Sequence, residues 1–165
     1  MAWAKQDTVT ATSGDDVIDM NRTENKKFNV VISSLHRTGS SNIGGDWQLN
    51  NDSGTNKHAQ RYAINGAADN TGTTGTGITF ASSQPDDFFQ VAYIFNNGTN
   101  EMLVMGWSTY QGTFNTSGLG AGTAPNRIET TGKFVTAGDL TQVEILQTSS
   151  AGFSSDSNGS WLGSD

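Results

Sequence analysis

Cysteine is absent from this sequence, which excludes disulfide bonds, thiol catalysis and thiolate zinc sites. Charged residues make up only 15% of the chain, too few for long solvent-facing helices, so strands and turns are favoured. The net charge is −7 and the 9 basic residues are scattered, so we expect no nucleic-acid partner. No apolar run approaches the ~18 residues that span a bilayer, and no signal-peptide core begins the chain, so we expect cytoplasmic synthesis without membrane insertion.

Alternation of apolar and polar residues, which is typical of half-buried strands, runs through most of the chain. In Lys26–His36, for example, Phe28 and Ile32 share one face while Asn29 and Ser33 share the other. We predict one antiparallel β-sandwich over residues 1–165, of jelly-roll or Greek-key type, with roughly ten short strands, little or no helix and extended terminal segments. The predicted strands are Asp7–Ala11, Asp16–Met20, Lys26–His36, Asp46–Asn50, Ala59–Ile64, Gly77–Ala81, Phe88–Phe95, Glu101–Tyr110, Gly132–Thr136, Thr141–Gln147 and a short one near Trp161.

The most apolar stretch of the chain is a predicted hairpin formed by Phe88–Phe95 and Glu101–Tyr110. The intervening Asn96–Thr99 supplies Asn and Gly, which tolerate the positive φ of a tight turn. Both faces of both strands are mostly apolar, so we predict that the hairpin is buried on both sides in the middle of the structure. Function is then expected elsewhere, in the polar loops Asn65–Gly77 and Gln111–Asn126 and at the two chain ends.

Catalytic and metal-binding patterns are weak. The only histidines, His36 and His58, lie in separate segments without a metal-binding spacing. The acidic pairs Asp15–Asp16 and Asp86–Asp87 would point to opposite faces of a strand, and turns suit them better than catalysis. We therefore predict no catalytic, cofactor or metal site. A hydrolase would require His36, His58 or one of Asp86–Asp87 to share a cleft with a shifted pKa.

Sugar binding by a β-sandwich needs an exposed aromatic ring beside amides and charged groups. Trp47, Tyr62 and Trp107 are candidate rings, and Arg61 is a candidate polar neighbour. The competing interpretation places each of these aromatic side chains in the core, where large rings commonly lie.

The order of several motifs along the chain resembles a known group of proteins. The chain runs from DTVTATSGDDVID and KKFNVVIS through DSGTNKHAQRYAINGAADN and the apolar hairpin to APNRIETTGKF and the closing LGSD. This succession is similar to small virion proteins encoded by marine tailed phages, over nearly the whole chain. None of the shared segments is a catalytic motif.

The resemblance implies a noncatalytic β-sandwich subunit on a capsid, tail or fibre, made in the host cytoplasm and displayed outside the particle. Its expected partners are phage capsid or tail proteins and further copies of itself; the alternative is a lectin-like module that contacts host surface glycans. Trp3 and Trp161 lie near the chain ends and are candidates for contacts between subunits. The alternative is that both fold back onto their own domain.

Overall fold

The computed structural model of the chain describes residues 2–38, 42–70, 72–84, 87–96, 100–110, 125–136, 138–149 and 152–165. Within these ranges the chain forms twelve β-strands and no helix, which confirms the predicted all-β class. The strands are β1 (Ala4–Thr10), β2 (Val17–Asn21), β3 (Phe28–Leu35), β4 (Ile43–Leu49), β5 (His58–Ile64), β6 (Thr73–Gly75), β7 (Ile78–Gln84), β8 (Phe88–Asn96), β9 (Glu101–Tyr110), β10 (Asn126–Val135), β11 (Gln142–Leu146) and β12 (Asn158–Ser164).

The strands form two antiparallel sheets that share one core. The large sheet has eight strands in the order β1-β12-β3-β8-β9-β10-β5-β6, and the small sheet has four in the order β2-β11-β4-β7. Strand β12 pairs with both β1 and β3, while β11 pairs with both β2 and β4. These pairings tie the N-terminal strands to the C-terminal ones, and the architecture agrees with the predicted β-sandwich.

Close approach of the two sheets explains the glycine in the middle of β9. A Cβ atom on Gly106 would lie 2.7 Å from Cε1 of Phe80 and 2.8 Å from the Cα of Ala92. The Phe80 ring in turn lies 4.8 Å from the ring of Trp47, which is fully buried. The missing side chain at Gly106 therefore makes room for Phe80 against the large sheet.

A buried amide links the two sheets through hydrogen bonds. The Oε1 atom of Gln90 accepts from Nε1 of Trp47 and from Oγ of Ser33, each at 2.9 Å. Buried polar groups need such partners because an unpaired one costs about 1–3 kcal/mol. The indole of Trp47 thus packs in the core with its N–H group satisfied.

Two strand predictions need correction. Strand β10 begins at Asn126, whereas the sequence predicted a strand only from Gly132, and the short strand β6 lies inside the predicted loop Asn65–Gly77. Polar strands of this kind are held by pairing rather than by apolar alternation. In β10, for example, the buried Thr130 donates its Oγ1 hydrogen to the carbonyl oxygen of Thr79 at 2.9 Å.

The two ends of the chain are strands of the large sheet and not the extended segments that the sequence suggested. Strand β1 pairs with β12, and β12 also pairs with β3. The predicted turn residues 97–99, residues 111–124 of the predicted loop, and Asp86 lie outside the described residues.

The apolar hairpin lies where predicted but has a different environment. Strands β8 and β9 occupy the centre of the large sheet, which confirms their central position. The prediction that both faces are buried is wrong, because Tyr93 and Met105 are among its exposed side chains. Only the side that carries Ala92, Ile94 and Val104 faces the core.

Candidate functional site

The outer side of β3, β8 and β9 is a continuous apolar surface at the centre of the large sheet. Strand register arranges its residues in three rows that cross the three strands, with one further residue beyond the last row. We call these ten residues the apolar face. They are Phe28, Phe95 and Leu103; Val30, Tyr93 and Met105; Ile32, Val91 and Trp107; and Phe89.

Most of the apolar face is open to solvent. Seven of its ten side chains are exposed, and Met105 is the most exposed of them at 55%. Five of the seven are aromatic, and a large aromatic side chain buries roughly 150–250 Å² when covered. Near half exposure, the seven side chains together leave on the order of 600 Å² of apolar surface in water. That area reaches the top of the range of about 300–600 Å² for the largest patch on typical monomers. Patches of this size commonly mark binding surfaces.

A groove of about 480 Å³ lies at one end of the apolar face. Trp3, Phe28, Phe95 and Leu103 are among the residues that line it. The Trp3 side chain is 50% exposed and extends the apolar surface past β3. The rings of Phe28 and Phe95 lie 5.3 Å apart, within the range of favourable aromatic pairs, so this part of the surface is preformed.

Strand β10 borders the apolar face with charges of both signs. Lys133 forms an ion pair with Glu101 at 3.2 Å, and Arg127 forms one with Glu129 at 3.3 Å. The register places Lys133 opposite Leu103 and Glu129 opposite Trp107. The apolar face therefore ends abruptly in a mixed, solvated rim.

A second groove of about 390 Å³ lies over this border. Trp107 and Glu129 line it from the sheet, Arg61 lines it from β5, and Asp69 lines it from the segment after β5. An aromatic ring beside a few charged hydrogen-bonding groups is a combination that suits saccharide binding.

The outer face of the small sheet has the opposite character. Glu144 of β11 lies directly opposite Asp19 of β2 in the register. Burial of the Glu144 carboxyl raises its pKa above the ordinary value, and the nearby charge of Asp19 raises it further. On β4, burial also raises the pKa of Asp46, although a hydrogen bond with Thr79 partly opposes this. This face is therefore acidic and polar.

Among the residues predicted to contact glycans, Arg61 alone faces a groove with an exposed ring. Trp47 is fully buried and hydrogen-bonded to Gln90, so the competing interpretation as a core residue holds for this candidate ring. Tyr62 is half-buried and packs against the core. Trp107, the third candidate ring, is exposed beside Arg61.

The two candidate subunit-contact residues also differ in exposure, since one is buried and the other is exposed. Trp161 is buried, and its Nε1 atom donates to Oδ1 of Asn29 at 2.9 Å, so it is a core residue of its own chain and not available to a second subunit. Trp3 is exposed at the end of the apolar face. The apolar face was not predicted from the sequence, because apolar residues on both sides of β8 and β9 suggest that both sides are buried.

The structure brings Ser34, His36 and Asp87 together, with the histidine between the serine and the carboxylate as in a serine-hydrolase triad. Oγ of Ser34 lies 2.9 Å from Nε2 of His36, and Oδ2 of Asp87 lies 3.1 Å from Nδ1. A hydrolase also needs N–H donors for an oxyanion. Those around Ser34 are committed to the sheet, because β3 pairs with strands on both sides. Asp87 also accepts the N–H of Arg37 at 3.0 Å, so the cluster fastens the end of β3 to the start of β8.

His58, the second histidine, is a core residue. Its ring stacks on Phe134 with centroids 4.6 Å apart, and its Nε2 atom accepts the N–H of Leu49 at 3.2 Å. Burial lowers the pKa of His58 to about 4, although the charge of Asp52 acts in the opposite direction. A neutral, buried ring of this kind supports the fold.

A scan against protein-family models and a search of curated proteins found no match to this chain. In the part of the chain that the structure describes, no helix has the length and apolar character to span a membrane. The same residues contain no group of three or more His, Asp or Glu side chains placed to hold a metal ion.

Proposed function

We propose that this chain is a noncatalytic virion structural protein, a capsid decoration protein or another exterior subunit of a phage particle. The observation that carries the assembly role is the apolar face, which leaves on the order of 600 Å² of apolar surface uncovered in the isolated chain. The motif order described above supports the phage origin.

An exposed apolar face suits a subunit that functions only in an assembly. Covering it removes apolar surface from water at roughly 25 cal/mol per Å², which is the main favourable term in most protein association. A symmetric particle repeats each contact many times, so modest individual contacts hold a subunit firmly. The ion pairs formed by β10, one of them with Glu101 of β9, keep this border of the surface solvated.

Mass spectrometry of gradient-purified virions tests this proposal. We expect the chain to be present in the particles of the phage that encodes it, at many copies per particle. A matched pair of variants sharpens the test, because Met105→Lys places a charge in the apolar face while Val17→Lys places one at an exposed position on the small sheet. Only Met105→Lys should be lost from the particles. Absence of the wild-type chain from purified virions would rule the proposal out.

Glycan binding is a second candidate function, and the groove beside Trp107 is the observation that favours it. Arg61, Asp69 and Glu129 surround the exposed indole in a space of about 390 Å³, within the range of small-ligand sites. In this role the protein would be a lectin-like receptor-contact module that recognises host surface saccharides.

A glycan array with two variants tests the second candidate. Trp107→Ala and Arg61→Ala should each abolish saturable binding while circular dichroism shows an intact fold. Trp47→Ala is not informative here, because removal of a buried indole weakens the core itself. A flat array profile from the folded wild-type chain would exclude this function.

A further inference from the structure

We propose that the apolar face is the contact surface between two copies of this chain, which stack sheet against sheet about a two-fold axis. The inference rests on the assembly role proposed above and names the partner of that surface. Area, shape and charge each point to a second copy.

The area of the apolar face fits a dimer. On the order of 600 Å² is exposed on one chain. Two copies face to face would therefore remove about 1,200 Å² from water, which is where the range of about 1,200–2,000 Å² for stable protein interfaces begins. The exposed Trp3 beside Phe28 enlarges the contact further.

The shape of the apolar face suits a second sheet. Its three rows lie across adjacent strands of one antiparallel sheet, so the side chains rise from a common surface. Such a surface packs well against another of the same kind, with the sheets about 10 Å apart and their strands within about 30° of each other. The two sheets of this sandwich already share one core on the inner side. A two-fold axis brings the same surface of each copy into contact with its counterpart.

Charge also favours self-association at this surface over other surfaces of the chain. Copies with a net charge of −7 repel one another, and the repulsion is smallest where the contact itself is uncharged. None of the ten residues of the apolar face is charged. At its rim, Lys133 and Arg127 alternate with Glu101 and Glu129, so a two-fold axis lets opposite charges of the two copies meet. A lipid surface would instead be favoured by a uniformly basic rim.

Sedimentation velocity of the full chain, over a wide range of concentrations, tests the inference. We expect a reversible dimer for the wild-type chain. Met105→Lys should raise the dissociation constant at least about tenfold, as loss of a central contact residue does. Val17→Lys, which adds the same charge to the other outer face, should leave it unchanged. Thermal melts should show that both variants fold.

Cross-linking provides a second readout that does not depend on affinity. The natural chain has no cysteine, so Met105→Cys introduces a single thiol. Oxidation should yield a disulfide-linked dimer from Met105→Cys and much less from Val17→Cys. A wild-type dimer that Met105→Lys leaves intact, together with no selective cross-link, would place the contact elsewhere and overturn the inference.

Other results separate the inference from the proposed function. A wild-type chain that stays monomeric yet enters purified virions through Met105 would overturn the second copy as partner and leave the virion role standing. A dimer that forms in solution through this face, from a chain that is absent from virions, would support the second copy as partner and overturn the virion role. A monomer that binds phosphatidylcholine–phosphatidylglycerol vesicles, with loss of binding in Met105→Lys, would assign the face to lipid and overturn the inference.

Discussion

The outer face of the large sheet presents ten apolar side chains across three central strands, whereas the outer face of the small sheet presents carboxylates and amides. Both faces belong to strands that alternate in and out of the same core. On the small sheet, the side chains that point away from the core are mainly polar, apart from the paired Val17 and Leu146, as in an antiparallel sheet that faces water. On β3, β8 and β9 of the large sheet, the outward side chains are apolar instead, so this surface is suited to contact with another surface rather than with water.

The largest expected loss of stability comes from disturbing the contact between the apolar strands and the small sheet. Gly106→Ala would drive a methyl group into Phe80 and the backbone of β8, and we expect the free energy of unfolding to fall by about 3 kcal/mol or more. Urea denaturation measures this. Gly138→Ala is the control, because a Cβ there meets no atom within 4 Å, and its effect should stay within about 0.5 kcal/mol. Equal effects of the two variants would refute the packing role of Gly106.

Acidification should destabilise the core and not the apolar face, because the core contains His58 while the apolar face has no group that titrates between about pH 4 and 7. The folded-state pKa of His58 is about 4, below the ordinary 6.5. Its contribution to stability is therefore fully present above about pH 6.5 and is lost as the pH falls toward about 4, by up to about 3 kcal/mol. Denaturation at a series of pH values should show this slope, and His58→Gln should flatten it. An unchanged slope in His58→Gln would contradict the assignment.

On the acidic face of the small sheet, a substitution should raise the stability of the chain rather than lower it. The raised pKa of Glu144 means that its charged form is disfavoured in the folded state, so its cost appears as the pH rises through the folded-state pKa. Glu144→Gln should therefore stabilise the chain at neutral pH by roughly 0.5–1 kcal/mol, the scale of a cross-strand charge pair. Thermal denaturation at neutral and acidic pH measures the gain, which should shrink in acid and in an Asp19→Asn background. Destabilisation at neutral pH would show that the carboxylate has a favourable role.

The smallest effect on stability is expected at the exposed apolar face itself. Leu103→Thr on the apolar face should change the stability of the monomer by no more than about 0.5 kcal/mol, since the side chain is already about half exposed. Dilute chemical denaturation measures this, with the buried Leu49→Thr as a matched control that should lose about 2 kcal/mol or more. A large loss in Leu103→Thr would show that the face stabilises the single chain.

The sequence was sufficient for the course of β9, which runs from Glu101 to Tyr110 as predicted, because a long alternating segment ends where turn residues begin. It was not sufficient for the environment of that strand. A period of two residues shows which side chains share a face, but it does not show what covers the face. With apolar residues on both sides, burial and an open binding surface predict the same pattern.

The grooves and clusters depend on contacts between distant segments, which periodicity does not reveal. Arg61 and Trp107 line the same groove because only β10 separates their strands in the large sheet. Asp87 meets His36 for a similar reason, across the pairing of β3 with β8. The role of Gly106 depends on a ring from the other sheet. The groove, the Asp87–His36 contact and the packing role of Gly106 all depend on the order of the strands in the sheets. The sequence predicted the strands but not their order.

Methionine oxidation offers the most direct measurement of whether the apolar face is covered by a second copy. Met105 is 55% exposed in the single chain, whereas Met20 and Met102 are fully buried and serve as internal references. With dilute peroxide and peptide mass spectrometry, we expect Met105 to oxidise rapidly in dilute protein and to become protected as the concentration rises, while the two references stay slow. Rapid oxidation of Met105 at every concentration would contradict the assignment of this face to a contact between copies.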